Sequence, residues 1–231
     1  MPSESLQQCQ EVGRQRLYPS LTNPNYLVLR RRREIFAGWA QSLPGAQLQV
    51  LDIGGRYQPY RPLLEAKVKS YVAVDILSTP LVNVMARGEA LPFGDASFEL
   101  VIATQVFDYF EQPFAVAAEI HRVLKPGGHL LLSSPAMAPR FAGEERWRYL
   151  PGGLRTLMSA FKQVEIVPEL YSVGSLFRTL NLYVTHFAKY RWLRSVLSYS
   201  LVPVLNLAGK CLEFVSDNDE FAANYSLMAK K

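Results

Sequence analysis

The feature that most constrains the fold is an alternation of short apolar runs with helix-like segments, which is typical of a mostly parallel sheet covered by helices on both faces. Several runs are almost continuously apolar, such as VIAT at 101–104 and HLLLSS at 129–134, as expected for parallel strands buried on both sides. The last predicted strand is expected at the edge of the sheet. The predicted strands cover 47–53, 70–76, 81–85, 98–104, 129–134, 161–169 and 221–231.

The segment PFAVAAEIHRVLKPGG, between the fourth and fifth predicted strands, is predicted to be a helix that completes a right-handed crossover. Pro126-Gly127-Gly128 is expected to stop this helix sharply. Apolar residues at helical spacing predict its buried face. They are Phe114, Ala117, Ala118, Val123 and Leu124.

The whole chain, 1–231, is interpreted as one domain, because 231 residues suit a single large core. An N-terminal helical segment is predicted at 1–46 and the α/β core at 47–169. The stretch 170–219 is predicted to be a helical insertion, since a structureless loop of that length would be improbable. A final strand is expected within 220–231.

The predicted insertion carries a row of apolar residues near helical spacing, which most simply forms a core or a homodimer face. These residues are Leu176, Phe177, Leu180, Tyr183, Val184 and Phe187. Cations in the same segment leave open a second interpretation, peripheral contact with an anionic membrane. The cations are Arg178, Lys189, Arg191, Arg194 and Lys210.

Composition and cysteine usage exclude several classes of protein. The uncharged run Ser195 to Gly209 is too short to span a bilayer and contains Pro203. Cys9 and Cys211 lie far apart, which excludes a disulfide framework and gives no metal-ligand spacing. The chain is therefore expected to be cytoplasmic and to bind no metal.

The densest basic run, Arg30–Arg33, lies in a predicted helix within a chain of net charge +5. Four consecutive helical residues point to all sides and make no single basic stripe. A solvated helix is therefore expected here, and no nucleic-acid partner.

Acidic residues and glycines follow the first two predicted strands. In VLDIGGRYQPY, Asp52 precedes Gly54 and Gly55, which allow a sharp turn and close approach of the backbone to a ligand. Asp75 ends the second strand, where its carboxylate can accept hydrogen bonds from both hydroxyls of a ribose. A helix cap is the alternative role for Asp75.

The block 88–135, GEALPFGDASFELVIATQVFDYFEQPFAVAAEIHRVLKPGGHLLLSSP, completes a recognisable pattern. Together with the earlier strands it resembles the class I S-adenosylmethionine-dependent methyltransferase family (type 11-like) over roughly residues 48–135. The later ERWRYLPGGLRTLMSAF is similar to the tail of members associated with sugar and cell-surface gene products. The resemblance implies a Rossmann-like, doubly wound, mostly parallel seven-stranded α/β sheet and S-adenosyl-L-methionine as cofactor.

The resemblance also implies roles for individual residues. Asp52, Gly54 and Gly55 would line the methionine side of the cofactor. Asp75 would hold the ribose hydroxyls, and Ile76 would pack on the adenine.

Three further positions are assigned by the same resemblance. Glu89 and Ala90 would lie beside the adenine, and Gln105 would line the cofactor and face the acceptor. The family usually has a glycine at the position of Arg56 and a small residue at that of Gln58. A non-catalytic interaction protein with this fold is therefore the main alternative.

Candidate residues on the acceptor side follow the fourth strand. Asp108 and Tyr109, where many relatives carry Glu-His, are predicted to be catalytic because ligands bind beyond the carboxyl ends of such strands. Other possible general bases are His129, Glu144, Glu145 and His186, with a strand-start role favoured for His129 and a helix-surface position for His186.

A cluster of arginines and aromatics, Arg146-Trp147-Arg148-Tyr149, is predicted either to bind an anionic or sugar-like acceptor or to pack under the insertion. The expected activity is methylation of an oxygen on a small-molecule, sugar or lipid-linked acceptor. GGRYQP does not fit the Gly-x-Gly-x-x-Gly of a nicotinamide enzyme. Thr104-Gln105-Val106-Phe107 replaces the Asn/Asp-Pro-Pro-Tyr motif of nucleic-acid amine methyltransferases.

Overall fold

The computed structural model describes residues 4–140, 142–186 and 189–231. Its strands in these ranges are β1 (Leu48–Ile53), β2 (Val68–Asp75), β3 (Val84–Met85), β4 (Phe98–Thr104), β5 (Leu124–Pro135), β6 (Gln163–Pro168) and β7 (Asn224–Lys230). Across the described residues they form one seven-stranded sheet of order β3-β2-β1-β4-β5-β7-β6. β1 to β5 run parallel to one another, and β7 is antiparallel to both β5 and β6. The predicted fold class is confirmed.

The α-helices of the described ranges are α1 (Leu6–Leu17), α2 (Tyr26–Ser42), α3 (Pro113–Val123), α4 (Pro151–Leu157), α5 (Ser172–His186) and α6 (Arg191–Cys211). Helices α5 and α6 lie between β6 and β7, in the stretch for which the sequence predicts a helical insertion. Among the described helices, none combines the length and apolar character needed to cross a bilayer.

Each face of the sheet is covered by a different set of helices. Ile120 of α3 and Leu154 of α4 belong to the core on one face. On the other face Phe36 and Trp39 of α2 join a core cluster with Ile102 of β4. The N-terminal α2 thus covers the face on which a helix after β1 would be expected. The β1–β2 connection contains Pro59 and Pro62, which oppose a helix, and it forms only short 3-10 turns.

Helix α3 differs from the prediction in its end and in its buried face. It ends at Val123, and Pro126-Gly127-Gly128 lies within β5, where Gly127 has a φ of 78°. Phe114 is 62% exposed and Ala118 is exposed, so the predicted face is wrong at both positions. The buried residues follow a different three- and four-residue spacing. They are Pro113, Val116, Ala117, Ile120 and Val123.

The last strand is not at the edge of the sheet, and the prediction of its position is wrong. β7 is inserted between β5 and β6, leaving β6 as the edge strand. Five of its seven residues are buried, which agrees with pairing on both sides. The loose alternation of apolar and polar residues in its sequence suggested an edge strand. Such spacing does not reveal which strands are neighbours in the sheet, and this is why the prediction failed.

Helix α5 buries polar residues and exposes apolar ones. Ser175, Arg178 and Asn181 are buried on its inner side. Most of the predicted apolar row is not in the core. Leu176, Leu180 and Tyr183 are 49%, 41% and 65% exposed, Phe177 and Val184 are partly buried, and Phe187 lies outside the described residues. The predicted core role is therefore wrong for the exposed three, because hydrogen bonds hold the inner face of α5.

These hydrogen bonds join the α5–α6 hairpin to the N-terminal segment. The Asn181 amide donates to Asn206 Oδ1 at 2.8 Å, and the Asn206 amide donates to the carbonyls of Leu21 and Asn23 at 2.7 and 3.0 Å. Arg178 donates from Nε to Asn25 Oδ1 at 3.1 Å. These bonds satisfy the donating groups on the inner side of the hairpin, while Oδ1 of Asn181 is buried without a partner among the described residues.

One arginine of the basic run is buried, which corrects the expectation of a solvated helix. Arg32 donates from Nε and Nη2 to the two carboxylate oxygens of Glu169, each at 2.7 Å. The two side chains are 5% and 0% exposed. The hydroxyls of Ser133 and Ser226 also donate to Glu169, at 2.7 and 2.8 Å. This network connects α2 with β5, β7 and the residue that follows β6.

Candidate active site

The glycine turn after β1 lies against the ends of two neighbouring strands. The amides of Gly54 and Gly55 donate to the carbonyl of Val74 at 2.8 and 3.3 Å. Gly54 has a φ of 76°, and a Cβ there would lie 2.9 Å from Cγ2 of Val106. Only glycine fits this close approach. The carboxyl ends of β1 and β2 and the loop after β4 therefore meet at one place.

Asp52 lies at the base of this turn and is 3% exposed. Burial raises the pKa of its carboxyl to about 7, and the nearby charge of Asp75 acts in the same direction. A 2.6 Å hydrogen bond donated by the Tyr71 hydroxyl partly opposes this shift because it stabilises the carboxylate. Asp52 therefore changes charge near neutral pH.

Asp75 is the last residue of β2 and is partly exposed. Its Oδ1 accepts the amide of Leu77 at 2.9 Å, and β3, not a helix, is the next element along the chain. Asp75 therefore does not cap a helix, which was the alternative role for this residue. Ile76 and Leu77 are 65% and 51% exposed, which leaves apolar side chains beside this carboxylate.

Glu89 carries a buried carboxylate oxygen that has no hydrogen-bond partner among the described residues. The unpaired atom is Oε1, while Oε2 lies 3.5 Å from Nε of Arg87. The amide of the adjacent Ala90 donates to the Arg87 carbonyl at 3.2 Å. An unpaired buried acceptor is costly, and a donor on a bound molecule would satisfy it.

Gln105 is held at the end of β4 in a left-handed conformation, with a φ of 52°. Its amide donates to the Ser133 carbonyl and its Nε2 to the Ser133 hydroxyl, both at 2.7 Å. The side chain is therefore tied to β5, next to the buried network around Glu169.

Asp108 and Tyr109 lie in the loop after β4 and differ sharply in their acidity. Asp108 is 4% exposed, and its Oδ1 is buried without a partner among the described residues. Burial, assisted by the charge of Glu145, raises the pKa of Asp108 to about 6. Burial, together with the charges of Asp108 and Glu145, raises the pKa of Tyr109 to about 12. Near neutral pH, Asp108 can accept a proton, while the Tyr109 hydroxyl stays protonated.

The cluster 146–149 packs against this loop. Arg146 pairs with Glu111 at 2.9 Å, and the Trp147 indole donates to the Phe110 carbonyl at 2.8 Å. The other two residues are more buried. Arg148 pairs with Glu145, and the buried Tyr149 donates to the Phe107 carbonyl at 3.2 Å. Trp147 remains 41% exposed next to the loop.

The other possible general bases lie elsewhere or are exposed. His129 lies in the middle of β5, which begins at Leu124, so the expected strand-start position is wrong, and it pairs with Leu100 away from the carboxyl end of the strand. His186 ends α5 and is exposed. Glu144 is exposed, and Glu145 is engaged with Arg148. Asp108 is therefore the candidate that combines burial with an unpaired oxygen.

Residues 51–132, which include the glycine turn, Asp75, Glu89 and Asp108, match a family model described as a methyltransferase domain. This match covers about a third of the chain, and over these residues the chain is similar to class I S-adenosylmethionine-dependent methyltransferases. An uncharacterized methyltransferase from Mycobacterium tuberculosis is 36% identical over 116 residues, which cover 45% of this chain and 46% of that protein. The match thus spans about half the length of this curated relative.

Two solved structures share the methyltransferase fold. A SAM-dependent methyltransferase from Archaeoglobus fulgidus superposes with a TM-score of 0.51 and 18% identity, over 87% of this chain and 94% of that one. The [4+2]-cyclase SpnF superposes with a TM-score of 0.55 and 14% identity, over 99% and 97% of the two chains. At these identities the likeness establishes the fold alone.

The two positions that depart from the methyltransferase pattern, Arg56 and Gln58, differ in backbone conformation. Arg56 does not adopt a positive φ, its carbonyl accepts the Thr79 hydroxyl at 3.2 Å, and its guanidinium lies 5.0 Å from the Tyr57 ring centroid. Gln58 has a φ of 45°. The arginine is thus accommodated without strain at its own φ.

The sequence did not indicate that α1 packs against Tyr57, in the loop that follows the glycine turn of this methyltransferase domain. A Cβ at Gly13 would lie 2.3 Å from the Tyr57 carbonyl oxygen, so helix and loop are in close contact. The Tyr57 hydroxyl donates to Glu4 at 3.0 Å, and the Arg16 guanidinium lies 4.7 Å from the Tyr57 ring centroid. A glycine in the middle of a helix was the available signal for this approach.

Proposed function

We propose that this chain transfers a methyl group from S-adenosyl-L-methionine to an oxygen atom of a small-molecule, sugar or lipid-linked acceptor. The observation that carries the proposal is the row of acidic groups at the carboxyl ends of β1 and β2, beside the glycine turn. Its members are Asp52 and Asp75, and the charge of Asp75 contributes to the raised pKa of the Asp52 carboxyl. The match of residues 51–132 to a methyltransferase domain supports the same activity.

The residues present fit the cofactor. Its amino-acid end carries a cation that Asp52 and the glycine turn would hold, and Asp75 would accept hydrogen bonds from the ribose hydroxyls. Ile76 would pack on the adenine, and the unpaired Oε1 of Glu89 would accept from its amino group. When bound, the cofactor supplies a methyl group on a positively charged sulfur.

The protein's task is then mainly to position the acceptor oxygen in line with that methyl group. An alcohol acceptor also loses a proton as its oxygen bonds to the methyl carbon and the carbon–sulfur bond breaks. Asp108 would take this proton on its unpaired Oδ1. With its pKa raised to about 6, it is mostly ionised at pH 7 and remains a useful base.

Titration calorimetry with S-adenosylmethionine and S-adenosylhomocysteine tests the proposed cofactor. We expect micromolar dissociation constants, about −8 kcal/mol in binding free energy. Absence of binding to the folded protein would contradict the proposal. If Arg56→Gly then restored binding, the non-catalytic interaction protein would be favoured, with Arg56 as the block.

The affinity for the cofactor is expected to depend on the charge of Asp52. Because the carboxyl is largely neutral below its pKa of about 7, binding of a cation there should weaken as the pH falls, by up to about tenfold per pH unit. Above that pKa the affinity should level off. Titrations from acidic to alkaline pH would measure this dependence.

Two variants make this pH test specific. Asp52→Asn should bind the cofactor weakly, and its affinity should not change with pH near pH 7. Tyr71→Phe removes the hydrogen bond that stabilises the carboxylate, so the step should move to higher pH. A wild-type affinity that does not change with pH would show that Asp52 does not contact the cofactor's cation.

Asp108→Asn is expected to lower kcat about 100- to 10,000-fold for an oxygen acceptor found by transfer of labelled methyl groups. Cofactor affinity should stay within about twofold, because the base acts on the acceptor. The wild-type kcat/KM should fall as the pH drops through about 6. Glu144→Gln is the control, since Glu144 is exposed. Retained activity in Asp108→Asn would remove this residue from catalysis.

A further inference from the structure

The α5–α6 hairpin ends in a tip where cations and aromatic residues alternate. The hairpin tip, defined as residues 189–194, reads Lys-Tyr-Arg-Trp-Leu-Arg. Tyr190 and Trp192 are 54% and 66% exposed, and their rings stack with centroids 6.4 Å apart. Nζ of Lys189 lies 5.7 Å from the Tyr190 ring centroid. The aromatic surface of the tip is thus exposed and bordered by positive charge.

Apolar exposure continues from the tip along α6. Val196 and Tyr199 are 54% and 78% exposed and lie on the same side of the helix as Trp192, at helical spacing. We call these three residues the apolar stripe. The first buried residue of α6 is Val202, so the first half of the helix buries no residue against the rest of the chain.

Single exposed apolar residues are ordinary, whereas a contiguous exposed set marks an interaction site. The other helix of the hairpin, α5, also exposes apolar residues, since its inner side is held by polar contacts. They are Leu176, Leu180 and Tyr183.

The hairpin is also uniformly basic. From Tyr171 to Leu212 the sequence contains no aspartate or glutamate, and it contains five arginines and lysines. Only Arg178 among these cations is buried in the described structure. A surface of this composition attracts an anionic partner.

We propose that the hairpin tip and the apolar stripe bind peripherally to the surface of an anionic lipid bilayer. Trp192, Tyr190 and Tyr199 have the amphipathic rings that lie at the level of lipid headgroups. The neighbouring cations contact anionic headgroups, and the stripe enters the acyl boundary as in other amphipathic interfacial helices. This inference does not depend on methyl transfer.

The charge distribution favours a bilayer over a second copy of this chain. In a two-fold symmetric dimer the same surface of both copies meets, so each basic hairpin would face a second hairpin of the same composition. The segment offers no carboxylate to pair with its cations, and like charges across an interface are unfavourable. An anionic lipid surface presents negative charge to the whole basic segment.

Co-sedimentation of the full chain with phosphatidylcholine vesicles, with and without phosphatidylglycerol, tests the proposal. We expect saturable binding only to the anionic vesicles, weakened by added salt. Replacing Trp192, Val196 and Tyr199 by serine should lower the partition coefficient more than about tenfold. The double variant Lys189→Gln/Arg191→Gln should lower it about fivefold for each charge removed.

Matched controls substitute similar residues elsewhere. Phe114→Ser removes an aromatic residue that is 62% exposed on α3, and Lys69→Gln/Arg155→Gln removes two exposed cations. Both controls should bind like the wild type. Equal binding to neutral vesicles, no binding, or hairpin variants that bind normally would overturn the proposal. Dimerisation abolished by the serine variant, without vesicle binding, would identify the stripe as a self-association surface.

These outcomes are separate from the proposed activity, because vesicle binding is measured without cofactor or acceptor. Circular dichroism spectra and thermal unfolding of the variants would show whether they fold. Since the substituted residues are exposed, we expect both measurements to match the wild type.

Discussion

Glu169→Ala is expected to lower the free energy of unfolding by about 3–5 kcal/mol, because it leaves a guanidinium buried without its counter-ion. The Arg32 side chain is 5% exposed and donates two hydrogen bonds to the carboxylate of Glu169. The hydroxyls of Ser133 and Ser226 would lose the same acceptor. Urea denaturation followed by circular dichroism would measure the change.

The matched control removes a carboxylate from an ion pair on the same helix. Glu34 pairs with Arg30 at 3.0 Å and is 39% exposed, so Glu34→Ala should cost at most about 0.5 kcal/mol. The double variant Arg32→Met/Glu169→Leu should recover much of the loss, since apolar side chains fill the site without buried charge. Similar losses in Glu169→Ala and Glu34→Ala would contradict the buried network.

Asp75→Ala is expected to weaken binding of S-adenosylmethionine at least about 100-fold. Two hydrogen bonds to a charged acceptor are lost, each worth about 1.5–3 kcal/mol. The carboxylate is partly exposed at the end of β2, so its removal leaves no buried charge unpaired and the fold should persist. Titration calorimetry on variant and wild type would measure the difference.

Two controls separate a ribose contact from a general loss of charge. Asp217→Ala removes an exposed carboxylate and should leave the affinity unchanged. Asp75→Asn keeps a neutral acceptor and should bind more tightly than Asp75→Ala. If Asp75→Ala bound the cofactor like the wild type, the assignment of Asp75 to the ribose would be wrong.

The sequence predicted the sheet well because its strands differ so clearly from the rest of the chain. β4 was predicted with the bounds that the structure has, and β1 differs by one residue. Such apolar runs reflect burial on both faces, which is a local property of parallel strands. The position of β7 in the sheet, by contrast, does not depend on local sequence. Its pairing with β5 joins residues about ninety positions apart, so the sequence could not exclude an edge position.

The candidate site was predictable where topology alone brings residues together. Asp52 and Asp75 approach each other because adjacent parallel strands end at the same edge of the sheet. Tyr71 and Glu169 were not predicted, since their roles depend on contacts across the fold. Glu169 meets Arg32 across 137 positions of the chain. The cofactor and acceptor contacts themselves stay predictions.

Helix α5 shows a second limit of prediction from sequence. Its spacing correctly indicates a helix with two unlike faces, yet periodicity does not tell which face turns inward. The choice is made by hydrogen-bond partners on other elements, such as Asn206 on α6 and Asn25 before α2.

The position of β7 has a consequence for the order of folding. β5 and β6 are connected within the sheet only through β7, the last of the seven described strands along the chain. On a ribosome, β6 and both hairpin helices are synthesised before β6 has any strand to pair with, and β5 keeps one unpaired edge. Completion of the sheet is therefore a late step, and until then the edge of β5 and the whole of β6 lack the pairing that protects strands from aggregation.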